Sequence, residues 1–117
     1  MLPQSLLDAP VRPVPRPGMY SQYRDQQILS ASPMQLLVMV YEQAIVQCEA
    51  RDPQRASRAV TELIGALNFD AGEIATDLFR LYEYCLWEIR RQHFTDAAHI
   101  LRQLKKAWED AVAGRTA

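Results

Sequence analysis

Proline placement constrains this chain more than any other feature. Five of the seven prolines, Pro3, Pro10, Pro13, Pro15 and Pro17, fall in the first 18 residues, where APVRPVPRPG alternates proline with valine or arginine. Proline fixes φ and removes a backbone donor, so this stretch favours extended polyproline geometry and forbids a helix. Residues 1–18 are expected to form a disordered proline-rich leader. Only Pro33 and Pro53 follow, each directly after a residue that can cap a helix, Ser32 and Asp52. Such pairs start helices: the capping oxygen accepts an orphan N–H, and proline has no N–H to leave unpaired at the first helical position.

Four helices follow from these signals. The first runs from Pro33 to about Ala50, and the second from Asp52-Pro53 to about Asn68. Asp70 and Glu73 have the spacing of a capping box and open a third helix that ends near Gln92. Thr95 is placed to cap the fourth, with Phe94 as a hydrophobic staple, and this helix is expected to stop before Gly114. No alternating strand pattern competes with this reading. Short connections favour antiparallel neighbours, so the fold class is all-α, an antiparallel four-helix bundle. Residues 32–113 form the bundle, residues 19–31 a short N-terminal cap segment and residues 114–117 a tail.

Projection at 100° per residue separates the helices into two kinds. The second and fourth are one-sided: Ala56, Ala59, Val60, Leu63, Ile64 and Leu67 share one face, as do Ala97, Ile100, Leu101, Leu104, Ala107, Trp108 and Ala111. The first is not. Leu36, Leu37, Val38, Met39, Val40 and Tyr41 are apolar in succession and point all around the helix, whereas a buried stripe needs only about three or four apolar residues per two turns. Met34, Leu37, Val40, Tyr41, Ala44, Ile45 and Cys48 make a core face, leaving Leu36, Met39 and Val46 outside it. In the third helix Ile74, Leu78, Leu81, Tyr82, Cys85 and Ile89 make the core face, widened by Phe79 and Leu86, and Tyr84 and Trp87 fall outside. Such surplus apolar surface is normally occupied by something. Three occupants fit: a second copy of the chain, its own segment MYSQYRDQQIL with Tyr20, Tyr23, Ile28 and Leu29 as anchors, or an amphipathic segment of another protein.

Composition narrows the function classes. Hydrophobic residues make up 49% and charged residues 23% of the 117 positions, a globular composition with enough chain for a core of its own. The net charge of −1 offers no basic surplus to follow nucleic-acid phosphates. No stretch approaches the roughly 18 apolar residues of a membrane span, and the N-terminus makes a poor signal peptide, so no membrane insertion and a cytoplasmic location are expected. Cys48 and Cys85 form no paired motif and read as small buried apolar residues. His93 and His99, six apart, show no Cys or carboxylate at metal-ligand spacing, the glycines form no phosphate loop, and Glu109 with Asp110 reads as a solubility pair. No catalytic residue, cofactor or metal is expected.

Three motifs in order carry a resemblance. YSQYRDQQILSASPMQLLVMVYEQAI resembles the N-terminal signature of the FliS family of flagellar secretion chaperones, with Tyr20, Tyr23, Ile28, Ala31, Ser32, Pro33, Leu36, Met39, Tyr41 and Glu42 matching. ALNFDAGEIATDLFRLYEYCL is similar to a second signature through Leu67, Gly72, Ile74, Ala75, Leu78, Leu81, Tyr82, Glu83 and Tyr84, and Ala107-Trp108 to a late Ala-Trp. The resemblance spans roughly residues 20–112; the leader lies outside it. It implies a helical bundle of the bacterial cytosol that binds the disordered C-terminal segment of flagellin, prevents its premature polymerisation and supports its secretion through the flagellar export apparatus. It also implies an N-terminal tyrosine segment that covers the client surface. The expected flagellin-binding residues are Tyr20, Tyr23, Ile28, Leu36, Met39, Val40, Tyr41, Tyr82, Tyr84 and Trp87, although Tyr41 and Tyr82 project onto core faces and fit a structural role as well. The export gate is a further candidate partner. The alternative is a helical homodimer, structural or adaptor in role, whose surplus apolar faces pair with each other.

Overall fold

The computed structural model describes residues 32–116. The leader and the cap segment, with Tyr20, Tyr23 and Ile28, lie outside the described residues. Helix α1 spans Pro33–Glu49. Ser32 and Gln35 close a full capping box: Ser32 Oγ accepts from Gln35 N at 3.1 Å and Gln35 Oε1 from Ser32 N at 2.7 Å. Helix α2, Pro53–Gly65, starts the same way, with Asp52 Oδ1 accepting from Arg55 N at 3.0 Å. Helix α3 spans Glu73–Arg90 and α4 spans Phe94–Thr116.

Two connections are made without glycine. After α1, Asp52 N donates to Gln47 O and Arg51 N to Cys48 O, both at 3.0 Å; after α3, His93 N donates to Glu88 O at 2.8 Å and Gln92 N to Ile89 O at 2.9 Å. Both are Schellman closures, and they place Arg51 (φ 58°) and Gln92 (φ 62°) in the left-handed region where glycine is normally preferred. The α2–α3 connection departs from expectation. Asn68 Oδ1 takes the Asp70 N–H at 3.1 Å, and Phe69–Ala71 form one 3₁₀ turn. Asp70 is therefore inside a turn rather than capping α3. Gly72 precedes α3 with φ 89° and ψ −147° and gives no side-chain cap, a region open essentially to glycine alone. At the fourth helix, His93 O receives the first helical bond, from Ala97 N, so Thr95 lies within the first turn instead of capping it. That helix also continues through Gly114, since one glycine costs only about 1 kcal/mol in a helix.

Helix α1 packs on α2 and α4, and α3 packs on the same two, leaving α1 and α3 across the diagonal. With connections this short, sequential neighbours run antiparallel, and the described residues form four helices as expected. The predicted core face of α1 is buried residue for residue, and Cys48 and Cys85 are buried free thiols. The predicted face of α3 is wrong at two places. Ile74 and Leu81 are 52% and 39% exposed, while Ala75 and Glu88 are buried. By projection Ala75 extends the buried side of α3 at one edge and Glu88 at the other.

The diagonal is closed by hydrogen bonds. Tyr41 and Tyr82, both with no exposed surface, bring their hydroxyls to 2.5 Å, and Trp108 Nε1–H of α4 donates to Tyr41 Oη at 3.0 Å. Burial pushes the Tyr41 hydroxyl up to about 12, against the hydrogen bonds from Tyr82 and Trp108, which lower it. Tyr82 is raised too, by burial first and then by Tyr41. Burial also lifts Cys48 to about 11 and Cys85 to about 12.

All four groups bind protons more tightly folded than unfolded, so their contribution is complete below the unfolded values of 9.0 for cysteine and 10.0 for tyrosine and is lost as pH rises through the folded ones. Denaturant midpoints should be level from pH 7 to 8.5 and fall from about pH 9 toward 12; a midpoint level to pH 11 would contradict this. Tyr41→Phe leaves the Trp108 N–H and the Tyr82 hydroxyl without a partner and should cost about 1–3 kcal/mol in urea unfolding at pH 7. Gln92→Gly should gain about 0.5–1 kcal/mol by relieving the left-handed residue, while Gly72→Ala should lose about 1–3 kcal/mol.

Candidate docking surface

Of the predicted contact residues in the described region, the fold uses three internally. Tyr41 and Tyr82 have no exposed surface, and Val40, 5% exposed, shows only an edge. Leu36 and Met39 are half-buried on α1, and Leu36 packs against the core. By projection Met39 and Val46 lie nearly opposite the buried face of α1, and Val46 is 51% exposed.

The larger apolar strip belongs to α3. Ile74, Leu81, Tyr84 and Trp87 are all exposed, and their spacing of seven, three and three residues keeps them on one side of the helix. Tyr84 and Trp87 pack side by side, with ring centroids 5.9 Å apart and planes tilted by 37°. The Arg91 guanidinium covers one face of Trp87 at 4.3 Å from its centroid. Phe69, in the turn before α3, is another exposed aromatic, edge-on to Phe79 at 5.9 Å. The sequence singled out Tyr84 and Trp87 but assigned Ile74 and Leu81 to the core, because hydrophobicity alone cannot tell an internal face from a docking face.

The two strips occupy opposite corners of the bundle, since α1 and α3 are diagonal. They do not form one groove. Between them, on the α1–α2 side, lies a cleft of about 360 Å³ lined by Val40, Gln43 and Gln47 of α1 and Arg55, Arg58, Ala59 and Glu62 of α2. The α1–α4 side is bridged instead by ion pairs, Glu49 with Arg102 and Glu42 with Lys105 at 3.9 Å. These exposed pairs add little stability, and the seam keeps a smaller cleft of about 130 Å³ beside Glu49 and Arg102. The larger of the two clefts thus lies on the α2 side of α1.

The buried hydroxyls and thiols stay protonated at neutral pH, which leaves them poor nucleophiles. Glu109 and Asp110 pair with Lys105 at 3.8 Å and Lys106 at 3.2 Å on the solvent side of α4. One expectation fails: His93 does have carboxylate neighbours. The α3–α4 turn brings Glu88 and Asp96 to it, with one ligand atom from each of the three within 4.8 Å of the others. No helix among the described residues is long and apolar enough to cross a membrane.

No curated protein and no solved structure matches the chain. A family model does: the one described as flagellar protein FliS matches residues 17–115. That span takes in all four helices but for the last residue of α4 and leaves out the first sixteen residues, most of the proline-rich leader. With four helices in the described region and both strips inside the match, the chain belongs to the FliS family, flagellar chaperones of flagellin export.

Proposed function

We propose that this chain is a stoichiometric holdase of the bacterial cytosol that binds the disordered C-terminal segment of flagellin. Holding that segment prevents premature polymerisation, and the complex is delivered to the export gate. The observation that carries this reading is the pair of apolar strips on diagonal helices, Leu36, Met39 and Val46 on α1 and Ile74, Leu81, Tyr84 and Trp87 on α3. Val40, Tyr41 and Tyr82 act beneath this surface by fixing the helices that present it. Tyr20, Tyr23 and Ile28 belong to a cover that the client displaces.

A client that touches both strips has to wrap. Helix axes in contact lie about 8–10 Å apart, so a route from one corner past α2 to the other covers roughly 25–35 Å over the side chains. At about 3.3 Å per residue that is some eight to eleven extended residues, with helical stretches at either end to fill the strips. Burying a side chain such as Trp87 or Leu36 gains about 1.5–3 kcal/mol. Several such anchors exceed the 2–5 kcal/mol or more that ordering a disordered segment costs.

Calorimetry of the full chain with a flagellin C-terminal peptide should give a 1:1 complex in the nanomolar to micromolar range. Trp87→Ala and Val46→Asp, both at exposed positions, should each raise Kd at least tenfold while leaving helicity unchanged. Leu36→Asp is less clean, because Leu36 also packs on the core. Equal affinity in folded Trp87→Ala and Val46→Asp variants would overturn the surface. Deleting residues 1–28 should tighten binding if they act as the cover. The rival reading, a homodimer that pairs these strips, requires a concentration-dependent doubling of mass in light scattering that Trp87→Ala abolishes.

A further inference from the structure

The α3–α4 turn holds a constellation that client binding does not use. Glu88 is 4% exposed, the one buried charged residue among the described residues. No hydrogen bond reaches its carboxylate there; the basic nitrogen beside it is His93 Nδ1, 3.4 Å from Oε2. Burying a carboxylate without donors is costly. Helix α3 adds to the cost, because it ends two residues later and the C-terminal end of a helix carries partial negative charge. Asp96, in the first turn of α4, brings a second acid to the same place.

The distance itself is informative. At 3.4 Å the Glu88–His93 pair is too long for a charge-assisted hydrogen bond, which measures about 2.7–2.9 Å. It equals the spacing between two ligands of one tetrahedral ion, since bonds of about 2.0–2.1 Å give edges of about 3.3–3.4 Å. All three ligand atoms already lie within 4.8 Å of each other, and the remainder falls to Asp96, whose side chain is exposed and free of packing on the core. The backbone fixes the other two: His93 N donates to Glu88 O at 2.8 Å within the Schellman closure, so their spacing does not depend on a flexible loop.

We propose that Glu88, His93 and Asp96 form a binding site for a divalent transition metal of the zinc type. His93 Nδ1 and one oxygen from each carboxylate supply three positions, and the fourth faces solvent, because His93 and Asp96 are exposed. One imidazole with two carboxylates suits zinc and its neighbours in the first transition row better than calcium or magnesium, which take oxygen ligands. The ion offsets the buried charge of Glu88 and ties the end of α3 to the start of α4.

The test uses the tag-free full chain, stripped with a chelator and titrated with Zn²⁺ by calorimetry at pH 7.5. One saturable equivalent is expected, with a Tm that climbs with Zn²⁺ concentration. Co²⁺ in place of Zn²⁺ should give the visible absorption of a four-coordinate ion. Glu88→Gln keeps the shape of the side chain and Asp96→Asn lies on the surface; each should weaken binding at least tenfold, whereas His99→Ala should not change it. Absence of saturable binding overturns the site, as does an affinity within twofold of the parent in either amide variant. If Glu88→Gln does not fold, Asp96→Asn decides alone. A Glu88→Gln chain more stable than the stripped parent, with Zn²⁺ moving neither Tm, identifies Glu88 as an uncompensated buried charge and also overturns the site.

Discussion

Two tyrosine hydroxyls meet at the centre of this bundle, and an indole N–H closes on one of them. Tyr41, Tyr82 and Trp108 come from three helices, and two of those helices stand across the diagonal from each other. Neighbouring helices can be held by apolar contact alone, which is tolerant of small slides. A diagonal pair joined by a hydrogen bond is not, because a displacement of an ångström or so leaves a buried polar group unpaired. The relative height and rotation of α1 and α3 are therefore set at one point. Everything those helices show to solvent inherits that setting, including both apolar strips.

The sequence made the helices legible wherever a local signal decides the matter. Ser32-Pro33 and Asp52-Pro53 place two starts to the residue, and the seven predicted core residues of α1 are the seven that are buried. Failures come where two local options compete or where a distant partner decides. Asp70 had the right spacing to cap α3, but Asn68 reached its N–H first and drew it into a 3₁₀ turn. Ile74 and Leu81 are more hydrophobic than Ala75, yet it is Ala75 that is buried, because burial is set by where the neighbouring helices stand, and no single-helix projection contains that information. Glu88, His93 and Asp96 stand five and three positions apart, and only the left-handed residue between α3 and α4 folds them onto one another.

The exposed apolar strips were half legible. The exposure of Tyr84 and Trp87 could be read because they break the amphipathic pattern of α3 openly. The burial of Val40 was harder to separate, since the same stretch of apolar residues supplies both the buried and the exposed sides of α1. Tyr41 and Tyr82, matched in the family signatures, are fully buried and join the diagonal helices through their hydroxyls.

The placement of the strips at opposite corners has a kinetic consequence. A ligand engaged at two separated patches behaves as bivalent, and the second contact forms at the effective concentration set by the linking chain, typically millimolar. Neither patch then has to be strong for the whole to be tight. On the proposed mode of binding, release is gradual: one end can peel away while the other stays seated, so a competing acceptor has to overcome only half of the attachment at a time. A grip divided in that way is easier to undo than a single deep pocket of equal affinity.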